Sequence, residues 1–348
     1  MPEPLQSILR LSVLDQSPVP EGSTPGYALR NSVDLALLAE RLGYHRYWLA
    51  EHHGSPGVAC YSPEVMIGPV AAATTTMRVG SGGVMLPHYS PLKVASSFSM
   101  LSGLFPGRID LGIGRAAGTS PLVARALQRD RRHLPPDDFR DQLDELLRYF
   151  TTPSPHAGPF ERPLPVRFES PEPWLLGSSE QSAIWAAELG LPYAFADFIN
   201  PGGAPAAELY RRRFRPSSYL DAPRVAVAAW AICADTDAEA QRLAASLRMM
   251  MTLLFRGQHI AVPEVERALR FLEAEQDELP LYGSAARRVI AGSTATVRAG
   301  LEKLAAEYGA GEVLIVNIMH GHQERRRCYE LIAGAFGLAG IAHAAASV

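Results

Sequence analysis

The chain is poor in cysteine, and that scarcity settles several questions at once. Only three cysteines, Cys60, Cys233 and Cys328, occur in 348 residues, an odd count with no C-x-x-C spacing. Such a set builds neither a disulfide framework nor a thiolate zinc site, and it suits a reducing cytoplasm. Long apolar runs are missing as well. Val225 to Ala234 and the Gly/Ala-rich tail from Ile332 to Val348 are the longest, and both fall short of the ~20 residues that a membrane helix needs. Met1 to Arg10 lacks the charged-then-apolar pattern of a signal peptide, so a cytoplasmic location and no membrane contact are expected. Neither sign of charge dominates. A formal net charge of -3 gives no electrostatic reason to expect nucleic acid, and the basic runs Arg211-Arg212-Arg213 and Arg325-Arg326-Arg327 read as solvated helix faces.

What is present is an alternation of strand-like and helix-like segments, with no fixed-period repeat and no linker that divides the chain. Leu11 to Asp15 reads as a first strand, and Pro25 to Leu42 as a helix with Thr24 at its N-cap, Pro25 at its first position and Gly43 past its end. Further strands are expected at Tyr44 to Ala50, Arg78 to Leu86, Arg108 to Gly114, Trp174 to Gly177, Tyr193 to Phe198, Val225 to Ala234 and Glu312 to Asn317. Arg115 to Pro136 reads as a loop region, and Thr151 to Pro173, with its seven prolines, as an irregular excursion. The stretch from Asp237 to Tyr308 is too long for one barrel helix, so an insertion is expected near Phe255 to Arg287. Eight strands alternating with helices give a single-domain TIM (β/α)8 barrel over residues 1–348. An open doubly wound sheet fits less well, because no Gly-rich turn joins the first strand to its helix.

In such a barrel the residues just past each strand converge on one pocket. They include Glu51-His52-His53 after the second strand, Gly82-Gly83 and then Pro87-His88 after the third, Gly114-Arg115 after the fourth, and Gly177-Ser178-Ser179 with Ser182 after the fifth. Glycines let a planar ring lie against backbone. Serines at a helix N-terminus and a forked cation bind phosphate oxygens. Each element also has a plainer reading. Ser178-x-x-Gln181 matches a capping box, Gly82-Gly83 fits a bulge or close-packing site, Arg115 fits a surface ion pair, and either histidine fits a backbone hydrogen bond at a strand end. The Glu51-His52-His53 trio admits a metal site, an acid/base site or a structural corner. Adjacent histidines on a strand face opposite ways, which disfavours the metal.

Five stretches, Trp48 to His53 (WLAEHH), Arg78 to Pro87 (RVGSGGVMLP), Gly107 to Arg115 (GRIDLGIGR), Ala186 to Pro192 (AAELGLP) and Ala291 to Thr294 (AGST), follow in order and resemble the bacterial luciferase-like flavin monooxygenases over roughly Leu11 to Phe336. The resemblance implies a TIM barrel that binds reduced FMN at the C-terminal strand ends and oxidises a small organic substrate, such as an aldehyde or ketone, with O2. It also implies a separate NAD(P)H-dependent flavin reductase and a homodimer. Carried over residue by residue, His52 matches the active-site histidine, expected to manage protons. Gly82 and Gly83 match a small pair beneath the flavin ring that is often joined by a non-proline cis peptide. Arg115, Ser179 and Ser182 match phosphate contacts. Two departures count against light emission: Gly114 stands where luciferase has a reactive cysteine, and Ser178 replaces an acidic residue. Deazaflavin (F420) hydride transfer and a non-catalytic flavin-binding role remain as alternatives. The helix with Gly68, Ala71, Ala72 and Ala73 and the next with Ala95, Ser96, Ser97 and Ser99 carry small residues suited to close packing across a two-fold axis.

Overall fold

The computed structural model describes residues 9–115, 121–127, 138–151, 169–275 and 289–340. Nine strands run in chain order: β1 (Arg10–Asp15), β2 (Arg46–Leu49), β3 (Arg78–Met85), β4 (Ile109–Gly114), β5 (Glu172–Gly177), β6 (Tyr193–Ala196), β7 (Val225–Cys233), β8 (Val289–Gly292) and β9 (Glu312–Val316). β1 to β7 pair in succession, β7 pairs with β9, and β9 returns to β1, all in parallel, so eight strands close a TIM barrel. β8 lies outside that ring. It pairs with the upper part of β7, from Trp230↔Val289 to Cys233↔Gly292. The sequence pattern did not reveal it, since a four-residue strand is too short to display a period against its helical flanks.

The helices are α1 (Pro25–Leu42), α2 (Pro63–Ala73), α3 (Pro91–Leu104), α4 (Pro121–Leu127), α5 (Phe139–Arg148), α6 (Glu180–Glu188), α7 (Ala204–Arg213), α8 (Asp237–Leu243), α9 (Ala245–Phe255), α10 (Val265–Ala274), α11 (Thr294–Tyr308) and α12 (His322–Phe336). α1 begins and ends where its local chemistry dictates. The Thr24 side chain accepts the Tyr27 N–H at 3.2 Å, and Gly43 closes the helix with φ +88°. A side chain at Gly43 would also meet the Ala339 carbonyl at 2.6 Å. The expected loop from Arg115 to Pro136 contains α4, and α10 falls within the expected insertion. Residues 116–120 and 128–136 of that loop, most of the proline-rich excursion and residues 276–287 of the insertion lie outside the described residues.

Parity along the strands sets what the barrel encloses. At the N-terminal end the inward residues are charged. Arg46 donates to Asp110 and to Glu312, each at 2.7 Å, and Ser12 donates to Glu312 at 2.5 Å. All four are buried, so each charge depends on its partners. Above Arg46, Trp48 and Trp174 meet edge to face with centroids 5.4 Å apart, and the Trp48 indole donates to Asp110 at 2.8 Å. This polar plug and aromatic layer seal the bottom of the barrel. One basic run departs from its expected place: Arg325 of α12 is buried against Asp15 at 2.6 Å, while Arg326 and Arg327 pair with acids nearer the surface. No helix among the described residues is long and apolar enough to cross a membrane.

Candidate active site

TIM barrels usually fill their interior with bulky branched side chains. Here the upper inward row is small: Gly82, Gly112 and Gly114 on one side, Ala194, Ala196 and Ala228 on the other. The space left open is a cavity of about 180 Å3. Leu14, Trp48 and Leu314 line its lower part, and Met85, Leu176, Phe195, Phe198 and Ile199 add apolar wall. All seven of the residues expected to hold a cofactor border it: Gly82, Gly83, Gly114, Arg115, Ser178, Ser179 and Ser182.

The glycines are also required by the barrel itself. The Gly82-Gly83 peptide is cis. A Cβ on Gly82 would meet Leu14 at 2.4 Å, and one on Gly83 would meet the Gly112 carbonyl oxygen at 2.8 Å. Close packing of β3 on its neighbours therefore fixes both, and the same packing leaves a floor without side chains.

At the cavity's polar end, Ser179 is the N-cap of α6, its hydroxyl facing the Ser182 N–H at 3.5 Å. The cap is thus one residue later than the Ser178-x-x-Gln181 pattern indicated. The Ser182 hydroxyl is already engaged, donating to the Ser179 carbonyl at 2.7 Å and meeting the Tyr193 hydroxyl at 2.9 Å. Ser182 therefore positions the turn. Asn200 donates to the Ser178 carbonyl at 2.9 Å. Besides the Ser179 cap hydroxyl, whose two contacts to Ser182 are both long at 3.5 Å, that leaves the Ser178 hydroxyl, the first amides of α6 and the exposed Arg115 guanidinium, which lies over the Trp185 ring at 5.4 Å. Arg115 is the one cation among the described residues that line the cavity. A helix N-terminus, hydroxyls and a fork of donors make a phosphate-binding set, so these residues suit a phosphorylated flavin.

The Glu51-His52-His53 trio divides. Glu51 is fully buried and accepts from His53 Nε2 at 2.8 Å, the Tyr89 hydroxyl at 2.7 Å and the Met85 N–H at 2.9 Å. It acts as a corner post that joins the end of β2 to the end of β3. Burial, and then the Glu51 charge, push the Tyr89 phenol well above its ordinary range. His52 faces elsewhere. It does not line the cavity, its backbone N–H donates to the Cys60 carbonyl at 3.0 Å, and its ring Nδ1 is buried without a partner. Burial, with His53 beside it, lowers its pKa to about 4, so its imidazole is neutral at pH 7. The Ala194, Ala196 and Ala228 wall was not singled out in the sequence, although alternating alanine within the two strands was its readable signal.

Residues 9–312 match the family model described as luciferase-like monooxygenase. The chain belongs to that family of enzymes. A luciferase-like monooxygenase of Escherichia coli (strain K12) is 41% identical over 331 residues, covering 93% of this chain and 96% of its own. The N-acetyl-S-alkylcysteine monooxygenase of Bacillus subtilis (strain 168) is 37% identical over 337 residues, covering 94% and 98%. Among solved structures, apo-MsnO8 superposes with a TM-score of 0.87 at 41% identity, covering 96% of this chain and 100% of its own. Two more distant structures share the fold alone. One is the oxygenating constituent of 3,6-diketocamphane monooxygenase from Pseudomonas putida in complex with FMN (TM-score 0.69, 20% identity, covering 96% and 99%). The other is the coenzyme F420-dependent tetrahydromethanopterin reductase of Methanopyrus kandleri (0.61, 15%, covering 94% and 97%).

Proposed function

We propose that this chain is an FMN-dependent monooxygenase that oxidises a small, largely apolar organic molecule, with FMN arriving reduced from a separate NAD(P)H-dependent reductase. The carrying observation is the pairing of a glycine-floored, apolar-walled cavity with one phosphate-sized donor set at its edge, Arg115 with Ser178 and Ser179. Bound there, reduced FMN supplies the activation of O2. The protein's own residues hold and shield it. Gly82, Gly83 and Gly114 offer backbone to a planar ring; Phe195, Phe198, Ile199 and Leu176 keep water away from the reacting atoms; Ser182 and Tyr193 hold the α6 turn in place. In this reading His52 manages protons from just past the end of β2, outside the cavity lining, through the free Nδ1 of its neutral imidazole.

FMN is favoured over F420 by charge. The acidic tail of a deazaflavin coenzyme calls for several cations, and Arg115 is the one lining cation among the described residues. The reading also includes a homodimer through α2 and α3. The test titrates the protein with FMN, reduced FMN and F420, then follows O2 uptake over aldehydes, ketones and S-alkyl thioethers. The thioethers are included because of the Bacillus subtilis relative's name. Tighter binding of F420, or no flavin binding, would sink the proposal.

A further inference from the structure

Two buried side-chain donors at the mouth of the barrel lack a hydrogen-bond partner and take no part in the flavin reading. They are Gln16 Nε2 and Trp230 Nε1, on residues 3% and 4% exposed. Neither is among the residues that line the cavity; both lie on the barrel wall at the level of the cavity-lining Leu14 or just above it. Asp15 ends β1 and turns outward to Arg325, and Gln16 follows it directly, two residues beyond the cavity-lining Leu14. Trp230 follows the cavity-lining Ala228 by two residues, and its ring meets that of Phe198, also in the lining, at 5.4 Å. Leu14, Val316 and Trp230 share one register row across β1, β9 and β7. The donors therefore occupy the β1–β9–β7 side of the mouth. The phosphate set at the ends of β4 and β5 lies across the ring from them.

An indole N–H only donates, and a buried donor without an acceptor costs free energy that a correctly shaped ligand recovers. We propose that Trp230 and Gln16 receive the polar end of the substrate, and that this end carries oxygen acceptors, a carboxylate or an acyl carbonyl, on an otherwise apolar body. This rests on the reading of the opposite end as the phosphate site of the flavin. A molecule with a donor-only polar end is selected against, since it would set N–H against N–H.

The test is calorimetric titration of the full chain, with and without FMN, using three ligands of one length: octanoate, octanamide and octylammonium. Octanoate and octanamide bind about tenfold tighter than octylammonium, the scale of a hydrogen bond gained and a donor clash avoided. Trp230→Phe, which keeps the ring and loses the N–H, narrows that gap to about twofold or threefold while riboflavin affinity is unchanged. Gln16→Met narrows it in the same direction. Equal affinity for the three ligands overturns the proposal, and so does a gap that survives both substitutions. A Trp230→Phe variant that loses riboflavin instead would assign the indole to the ring carbonyls of the flavin, which also overturns it. The arm without FMN keeps the two readings apart: failure to bind FMN removes the cofactor reading, while the acceptor preference is still read in the flavin-free chain.

Discussion

The Glu51 carboxylate accepts the backbone N–H of Met85 at 2.9 Å, two residues beyond the cis Gly82-Gly83 peptide. One buried side chain from the end of β2 thus fixes the end of β3, where the floor of the cavity lies. Its other oxygen holds His53 and Tyr89. Glu51→Gln keeps the volume but turns an amide donor toward one of these three donors. A loss of about 2–3 kcal/mol in unfolding free energy is expected, with weaker FMN binding, read from urea midpoints and flavin titration. An unchanged midpoint would show that the corner post carries no load.

Arg115 separates binding of the phosphate from binding of the ring. Arg115→Gln should weaken FMN by roughly 10- to 100-fold, the worth of a charge-assisted contact, and leave riboflavin nearly unaffected. Parallel fluorescence titrations of the two flavins measure the difference. Equal losses for both would place the guanidinium on the ring and not on the phosphate.

His52 predicts a pH dependence of stability. Its folded pKa is depressed to about 4 from an unfolded value of 6.5, chiefly by burial. Between those values the unfolded chain binds a proton that the folded chain does not, so stability falls as pH drops through that window. The slope approaches about 1.4 kcal/mol per pH unit where the difference is one proton. His52→Gln should remove that part of the slope, seen as the difference between the two proteins' denaturation curves from pH 7 to 4. His52→Ala should spare FMN binding and depress turnover, and unaltered turnover would remove the proton-managing role.

How much of this was legible in the sequence depended on the range of each interaction. The eight barrel strands and the limits of α1 were readable because short apolar runs between helical segments, an N-cap at Thr24 and a left-handed Gly43 act within a few residues. The gathering of Gly82, Gly114, Arg115 and Ser178 in one cavity was readable too, since strand ends in a closed barrel must converge. What escaped was set by distant partners. Arg325 looks like its exposed neighbours until Asp15, 310 positions away, is placed against it. The free donors of Gln16 and Trp230 exist only as a lack of partners, which no local pattern records. His52 and His53 look equivalent in sequence, yet only His53 reaches Glu51.

The proposed dimer can be tested against the same distinction. Several of the small residues that pointed to a two-fold contact are used within the chain: Ala71 and Ala95 are buried, and Gly68 faces Leu101 of α3. The outward face tells more. Val65 is 67% exposed and Met100 and Leu104 are each 69% exposed, with Pro69, Ala72 and Gly103 also in the open, so α2 and α3 present an apolar stripe to solvent. Positions 65, 69 and 72 recur at helical spacing, as do 100 and 104, so each helix shows one continuous apolar edge. A second copy of the same two helices covers such a patch isologously, residue for residue, and a stable contact of this kind needs about 800 Å2 from each partner. Met100→Asp with Leu104→Asp places two like charges near the axis on each copy. Light scattering should then give the 37.7 kDa of one chain where the unaltered protein gives twice that mass, with FMN affinity retained because neither residue lines the cavity. A monomer mass for the unaltered protein would overturn the dimer and leave the stripe to another partner.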